Sequence, residues 1–129
     1  MELCKDNLTQ AFIHTDRLTH NLSVLQRLVG NCPLWPAIKA NAYGHGIDIV
    51  ARHLIGLGYN TRCFAHVSEA ISIMKAGIEA TFLLMSATLP ENSEAIVSYG
   101  CEPLMCTEEM AKAHSKNGQR LGRKVMVNI

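Results

Sequence analysis

The sequence predicts an α/β fold: short apolar strands alternating with helices around a parallel sheet. Three observations carry that expectation. Five short apolar runs are separated by segments whose apolar residues recur at helical spacing. Alternation of this kind is the pattern of βαβ units, with right-handed crossovers by the usual rule. The 129 residues are 48% apolar and 18% charged, a globular composition, long enough to bury one core. A closed barrel and an open doubly wound sheet fit the pattern equally well. No G-x-G-x-x-G follows the first strand, which argues against dinucleotide binding.

Element by element, Leu18, Leu22, Leu25 and Val29 step by four, three and four along one face of a helix begun near Thr15 or Asp16. A strand over 34–39 follows, with Pro36 tolerable near its start. Val50, Leu54 and Leu57 mark a helix around 47–56, closed by Gly56 and Gly58. Cys63–Val67 reads as a strand, and Ser68 as the cap of a helix holding Ala70, Ile73 and Met74. Thr81–Met85 is the plainest strand, and Pro90 suits the first turn of the next helix, with Glu91 and Glu94 near its positive end. Cys101–Cys106 is a strand interrupted by Pro103, and Thr107 caps a helix with Glu108 and Glu109 in its first turn. Lys124–Ile129 begins a fifth strand. A parallel strand is normally covered on both faces, so a stop there reads as a truncated product.

Bulk properties exclude several functions. A net charge of +1 gives no reason to expect nucleic acid or an acidic membrane as partner, and 5% aromatic residues argue against base-stacking platforms. No apolar stretch approaches membrane-spanning length. Five cysteines (4, 32, 63, 101 and 106) lack C-x-x-C spacing and form an odd set, so reduced thiols in the cytoplasm are expected. Those at 63, 101 and 106 fall in apolar runs and read as small buried hydrophobes. The opening residues lack the basic region and apolar core of a signal peptide. The histidines lack ligand spacing, so no metal site is expected, and His66 at a strand end reads as a rim or buried histidine. Lys112, Lys116, Arg120, Arg123 and Lys124 read as a solvated helix face and loop.

Residues 34–46, Leu-Trp-Pro-Ala-Ile-Lys-Ala-Asn-Ala-Tyr-Gly-His-Gly, carry the chemistry. An apolar strand delivers one lysine, Lys39, into a turn with glycines at 44 and 46. Desolvation opposes an ammonium charge, which is the condition a lysine needs to serve as an amine nucleophile or base near neutral pH. The glycines permit positive φ or close backbone approach, and an ordinary turn accounts for them equally well. His45 reads as a polar turn residue.

The segment resembles the cofactor-lysine segment of the alanine racemases: an apolar strand, then Lys, Ala, Asp or Asn, Ala, Tyr, Gly, His, Gly. Arg17-Leu18-Thr19-His20-Asn21-Leu22 before it, and Ser68-Glu69-Ala70, Ala76-Gly77-Ile78 and Phe82-Leu83-Leu84-Met85 after it, extend the resemblance over nearly the whole chain. It implies a partial (β/α)₈ TIM barrel of about the first five parallel strands, with the remaining strands and a C-terminal β-domain absent. It also implies pyridoxal 5′-phosphate (PLP) as cofactor, held as a Schiff base by Lys39, with Tyr43 bonding the cofactor phosphate. Met85 matches an apolar position near the cofactor ring, although a core methionine explains it as well. The implied reaction is the interconversion of L- and D-alanine by a homodimer. The second base, a tyrosine of the partner's C-terminal domain, and the arginine on the pyridine nitrogen lie beyond this chain. A broad-specificity amino-acid racemase and a non-catalytic PLP-binding protein are the alternatives. Little activity is expected of the 129 residues alone.

Overall fold

The computed structural model describes residues 10–129, and Cys4 lies outside them. They divide into two compact units meeting at 32/33. The first holds α1 (Thr15–Val29), with Asp16 in its first turn and Arg27 in its last, the placement the helix dipole favours. Gln26 Nε2 donates to the carbonyls of Gly30 and Cys32 at 2.6 and 3.0 Å, folding the chain back after the helix. Of the anticipated apolar face Leu22 is buried, whereas Leu25 and Val29 are exposed. Periodicity defines a face fit for burial and does not supply what covers it.

The second unit is α/β. In chain order it contains α2 (Lys39–Tyr43), α3 (Ile47–Gly56), β1 (Thr61–Phe64), α4 (Val67–Lys75), β2 (Thr81–Ala87), a 3₁₀ turn (Pro90–Asn92), α5 (Ser93–Tyr99), β3 (Glu102–Leu104) and α6 (Glu108–Leu121). The three strands form one parallel sheet in sequential order. Arg62 pairs with Phe82 and Phe64 with Leu84, so period-two alternation sets these four side chains on one face. All four are buried there, and the Phe64 and Phe82 rings stand 5.6 Å apart. Ala51 and Leu54 of α3, Ala70 and Ile73 of α4, and Ile96 and Val97 of α5 complete the core. Arg62 is the anomaly. Its Nη1 donates to the Thr61 carbonyl, Nε and Nη2 have no partner among the described residues, and desolvation lowers its pKa.

Several boundaries differ from the sequence reading, each for a local reason. The expected strands at 34–39 and 124–129 reduce to single parallel bridges, Ala37 to Cys63 and Leu104 to Asn128. The five expected strand positions therefore appear as three strands flanked by two bridges, in the expected order. Pro103 interrupts β3 as anticipated, yet it is buried within the sheet. It offers no N–H, and the pairing slips here, from Leu84 with Pro103 to Ala87 with Leu104. β1 ends at Phe64, and α4 begins at Val67 with His66, not Ser68, in the cap position. Pro90 opens a 3₁₀ turn, and α5 starts only at Ser93. Thr107 does cap α6, its Oγ1 accepting from the Met110 N–H at 3.2 Å.

Cys63 and Cys101 are buried thiols, with burial pushing Cys101 up to about 11. Cys106 is exposed, contrary to expectation, because β3 has already ended at Leu104. The basic end is solvated, but not idle. Lys112 pairs with Glu108 at 2.7 Å, Arg120 with Glu94 at 2.9 Å, and Arg123 Nη1 donates to the Val97 and Ser98 carbonyls near the end of α5. Gly118 permits a close approach: a Cβ there would stand 2.9 Å from the Arg123 carbonyl oxygen.

Between α5 and α6 lies a buried polar cluster that spacing along the chain could not reveal. Ser93 Oγ meets His114 Nδ1 at 2.9 Å and accepts from Asn117 Nδ2 at 3.1 Å. His114 Nε2 has no partner among the described residues, and burial lowers the His114 pKa. The unfolded chain then binds a proton at this position, below an ordinary histidine pKa of about 6.5, that the folded chain refuses. Stability from His114 is complete above that pH and is lost as the pH falls below it. The slope is at most about 1.4 kcal/mol per pH unit, one proton's worth. Denaturant melts between pH 7.5 and 5 should show this slope in the wild type and its reduction in His114→Gln.

Candidate functional site

The site begins where Pro36–Ile38 lies beside β1. Cys63 N–H donates to the Pro36 carbonyl and Ile38 N–H to the Cys63 carbonyl, both at 3.0 Å. Pro36 needs no N–H in that arrangement. Ile38 is buried, and the chain leaves the sheet immediately after it. Lys39 is therefore not the last residue of a strand, as the sequence suggested, but the first residue of a turn. It is half-buried, and no carboxylate among the described residues pairs with it.

That turn, α2, is left-handed. Ala40, Asn41, Ala42 and Tyr43 have φ of 50°, 55°, 53° and 55°, followed by Gly44 at 87°. Ala42 N–H bonds the Ile38 carbonyl at 2.9 Å and Gly44 N–H the Ala40 carbonyl at 3.1 Å, one turn of the opposite hand. L-residues resist this conformation by about 1–2 kcal/mol each, because Cβ crowds the following carbonyl. Such strain persists only where surrounding structure over-determines it, and it concentrates at functional sites.

Two side chains do the over-determining. Asn41, of a type that tolerates positive φ, accepts the Ile47 N–H on Oδ1 at 2.9 Å. It thereby caps α3, whose own cap position is Gly46 with φ of 90°. Glu69 reaches across from α4. Its Oε1 accepts the Ala40 N–H at 2.6 Å, and its Oε2 accepts the N–H groups of Ala65 and His66, each at 3.2 Å. The sequence showed Glu69 only as part of a matching tripeptide; no spacing rule could place it beside residue 40. His45 behaves as expected of a turn residue, with Nδ1 2.8 Å from the Ala42 carbonyl oxygen.

The other singled-out residues separate. Tyr43 is 59% exposed, and its phenol makes no hydrogen bond among the described residues. Met85 is 50% exposed and is not a core methionine. Leu83 pairs with Cys63, and Met85 shares the Leu83 side of β2, opposite the buried Phe82 and Leu84. His66 is exposed and lines a cleft of about 350 Å³ with Ser68, Thr88 and Asn92. Neither Lys39 nor Tyr43 lines that cleft. Among the described residues no group of three His, Cys, Asp or Glu could hold a metal ion, and no helix is long and apolar enough to cross a membrane.

An amine with no ion-pair partner among the described residues is thus held on a strained turn, where a parallel segment leaves an α/β sheet. This defines a lysine-bearing α/β domain. Residues 13–129 match the family model for the alanine racemase N-terminal domain, and the chain belongs to that family. It is 33% identical over 119 residues to the alanine racemase of Carboxydothermus hydrogenoformans, covering 92% of this chain and 32% of that protein. It is 32% identical over 122 residues to that of Treponema denticola, covering 94% and 32%. The chain spans about a third of the length of these relatives. Among solved structures, the cycloserine complex of Clostridium difficile alanine racemase superimposes with a TM-score of 0.82 at 27% identity, over 87% of this chain and 30% of that one. A histidine racemase from Leuconostoc mesenteroides shares the fold, with a TM-score of 0.80 at 22% identity over 88% and 30%.

The part played by Asn41 is open to measurement. Asn41→Ala removes the cap of α3 and leaves a left-handed alanine, and should cost about 1–2 kcal/mol in a denaturant melt. Asn41→Gly, which loses the cap but tolerates the backbone, should cost less.

Proposed function

We propose that this chain is the first part of a PLP-dependent alanine racemase, interconverting L- and D-alanine in the complete protein. On this reading residues 1–129 form the N-terminal portion of a (β/α)₈ barrel, and the five parallel strand positions are its first five. The observation that carries the reading is the placement of Lys39. It is an amine with no carboxylate partner among the described residues, fixed by a strained turn where the chain leaves the sheet.

The residues present suit the cofactor. An aldehyde requires an accessible amine, and Lys39 offers one; a phosphate requires donors, and the exposed Tyr43 phenol offers an uncommitted one. Bound there, PLP supplies the aldehyde that captures an amine and the ring that takes up electron density from Cα. Lys39 Nζ would hold the cofactor and would move the Cα proton on one face of alanine. Tyr43 Oη donates to the phosphate. Racemisation also needs an acid–base group on the opposite face, and we assign it to a part of the protein outside this chain. The complete protein is then a cytoplasmic homodimer, acting on a free amino acid.

Borohydride reduction in the presence of PLP, followed by peptide mapping, should place the label on Lys39. A label on another lysine, or none, overturns the assignment. Conversion of L- to D-alanine by the 129 residues alone should be negligible even when Lys39 is labelled. Tyr43→Phe should weaken PLP retention roughly ten-fold, the worth of a hydrogen bond to a charged group, and unchanged retention would remove Tyr43 from the site.

A further inference from the structure

We infer that Glu69 is the positioning residue of Lys39, holding the left-handed turn in register with the end of β1. The inference rests on Lys39 being the cofactor lysine and adds a residue on a different element to its machinery.

The argument starts from the first N–H of the reversed turn. A helical turn of either hand leaves its first N–H groups without partners inside the turn. Within α2 the bonds run from the Ala42 N–H to the Ile38 carbonyl and from the Gly44 N–H to the Ala40 carbonyl, so the Ala40 N–H, at an exposed position, takes its acceptor from outside the turn. It finds Glu69 Oε1 at 2.6 Å, 29 positions along the chain. Ala40 adjoins Lys39 and is the residue at which the chain changes hand, so fixing its amide fixes the direction in which Lys39 leaves the backbone.

Capping α4 does not by itself explain this carboxylate. Glu69 stands at the third position of α4 and reaches back to the N–H of His66, as a capping box requires. Oε2 serves that function and takes the Ala65 N–H as well. Oε1 is spent outside the helix altogether, at the shortest of the three distances. An ionised carboxylate accepts on both oxygens with no donor of its own, which suits a group placed between two sets of N–H donors. A glutamine there must turn its amide NH₂ toward one set. An aspartate, one methylene shorter, cannot span both. The chemistry therefore specifies glutamate, where helix capping alone would accept several residues.

The test uses the 129-residue chain with Glu69→Gln and Glu69→Asp, checked for wild-type helix content, and reads two quantities. The first, without PLP, is hydrogen exchange at the Ala40 amide, expected to speed up about ten-fold or more in both variants. The second is the PLP concentration giving half-maximal borohydride labelling of Lys39, expected to rise about ten-fold while labelling of other lysines stays constant. Folded variants that keep both wild-type exchange at Ala40 and wild-type labelling of Lys39 overturn the proposal. So does a change confined to melting temperature, the outcome for a helix cap alone. If the wild type never labels at Lys39 yet Ala40 loses protection in the variants, the cofactor-lysine reading fails and the hold of Glu69 on the turn stands.

Discussion

Four consecutive L-residues in the left-handed region are the constraint around which the site is organised. At about 1–2 kcal/mol each they consume a share of stability comparable to a small domain's whole margin. A chain of this composition has an easier course open to it, a right-handed turn or an extended exit. The left-handed turn survives because its polar groups are bonded from outside: Glu69 takes the amide of Ala40, and Asn41 ties the turn to α3. Removing either support leaves strain without compensation.

On the proposed reading the strain has a chemical use. An ordinary strand would carry Lys39 onward along the sheet, whereas a right-handed helix would turn it the other way. The reversed turn instead stops the chain beside the end of β1 and leaves the amine with no ion pair to a carboxylate among the described residues. Rigidity there comes from hydrogen bonds to backbone amides, which orient the lysine without neutralising it. A carboxylate bonded to Nζ itself would position the amine equally well and take away its reactivity. On the proposed reading Glu69 accomplishes the first without the second, since its oxygens bond backbone N–H groups.

Much of this was legible in the residues. The alternating runs marked the strand positions, the barrel resemblance implied their sequential order, Thr107 announced the start of α6, and the helix expected around 47–56 runs over Ile47–Gly56. The Lys-Ala-Asn-Ala-Tyr-Gly-His-Gly stretch pointed to the candidate site and to the family. What was not legible depended on contacts distant in sequence. Sequence pattern read 34–39 as a strand because its residues are apolar, but only pairing with Cys63 shows that the sheet lets go at Ile38. Alternation could not tell that Met85 lies on the exposed side of β2, since Leu84 and Met85 are equally apolar. Ser93, His114 and Asn117 carry no spacing signal, and only the packing of α5 on α6 joins them.

By itself the sequence determined which segments could be strands or helices, and which lysine leaves an apolar run into a glycine-bearing turn. Those properties follow from side-chain hydrophobicity and local backbone preference, which act over a few residues. Tertiary structure alone decided the handedness of the turn after Lys39 and the identity of the carboxylate that holds it. No local rule makes Ala-Asn-Ala-Tyr left-handed. Its intrinsic preference is the opposite, and the turn is bonded from outside by Glu69, 29 residues away, and through Asn41 to the start of α3.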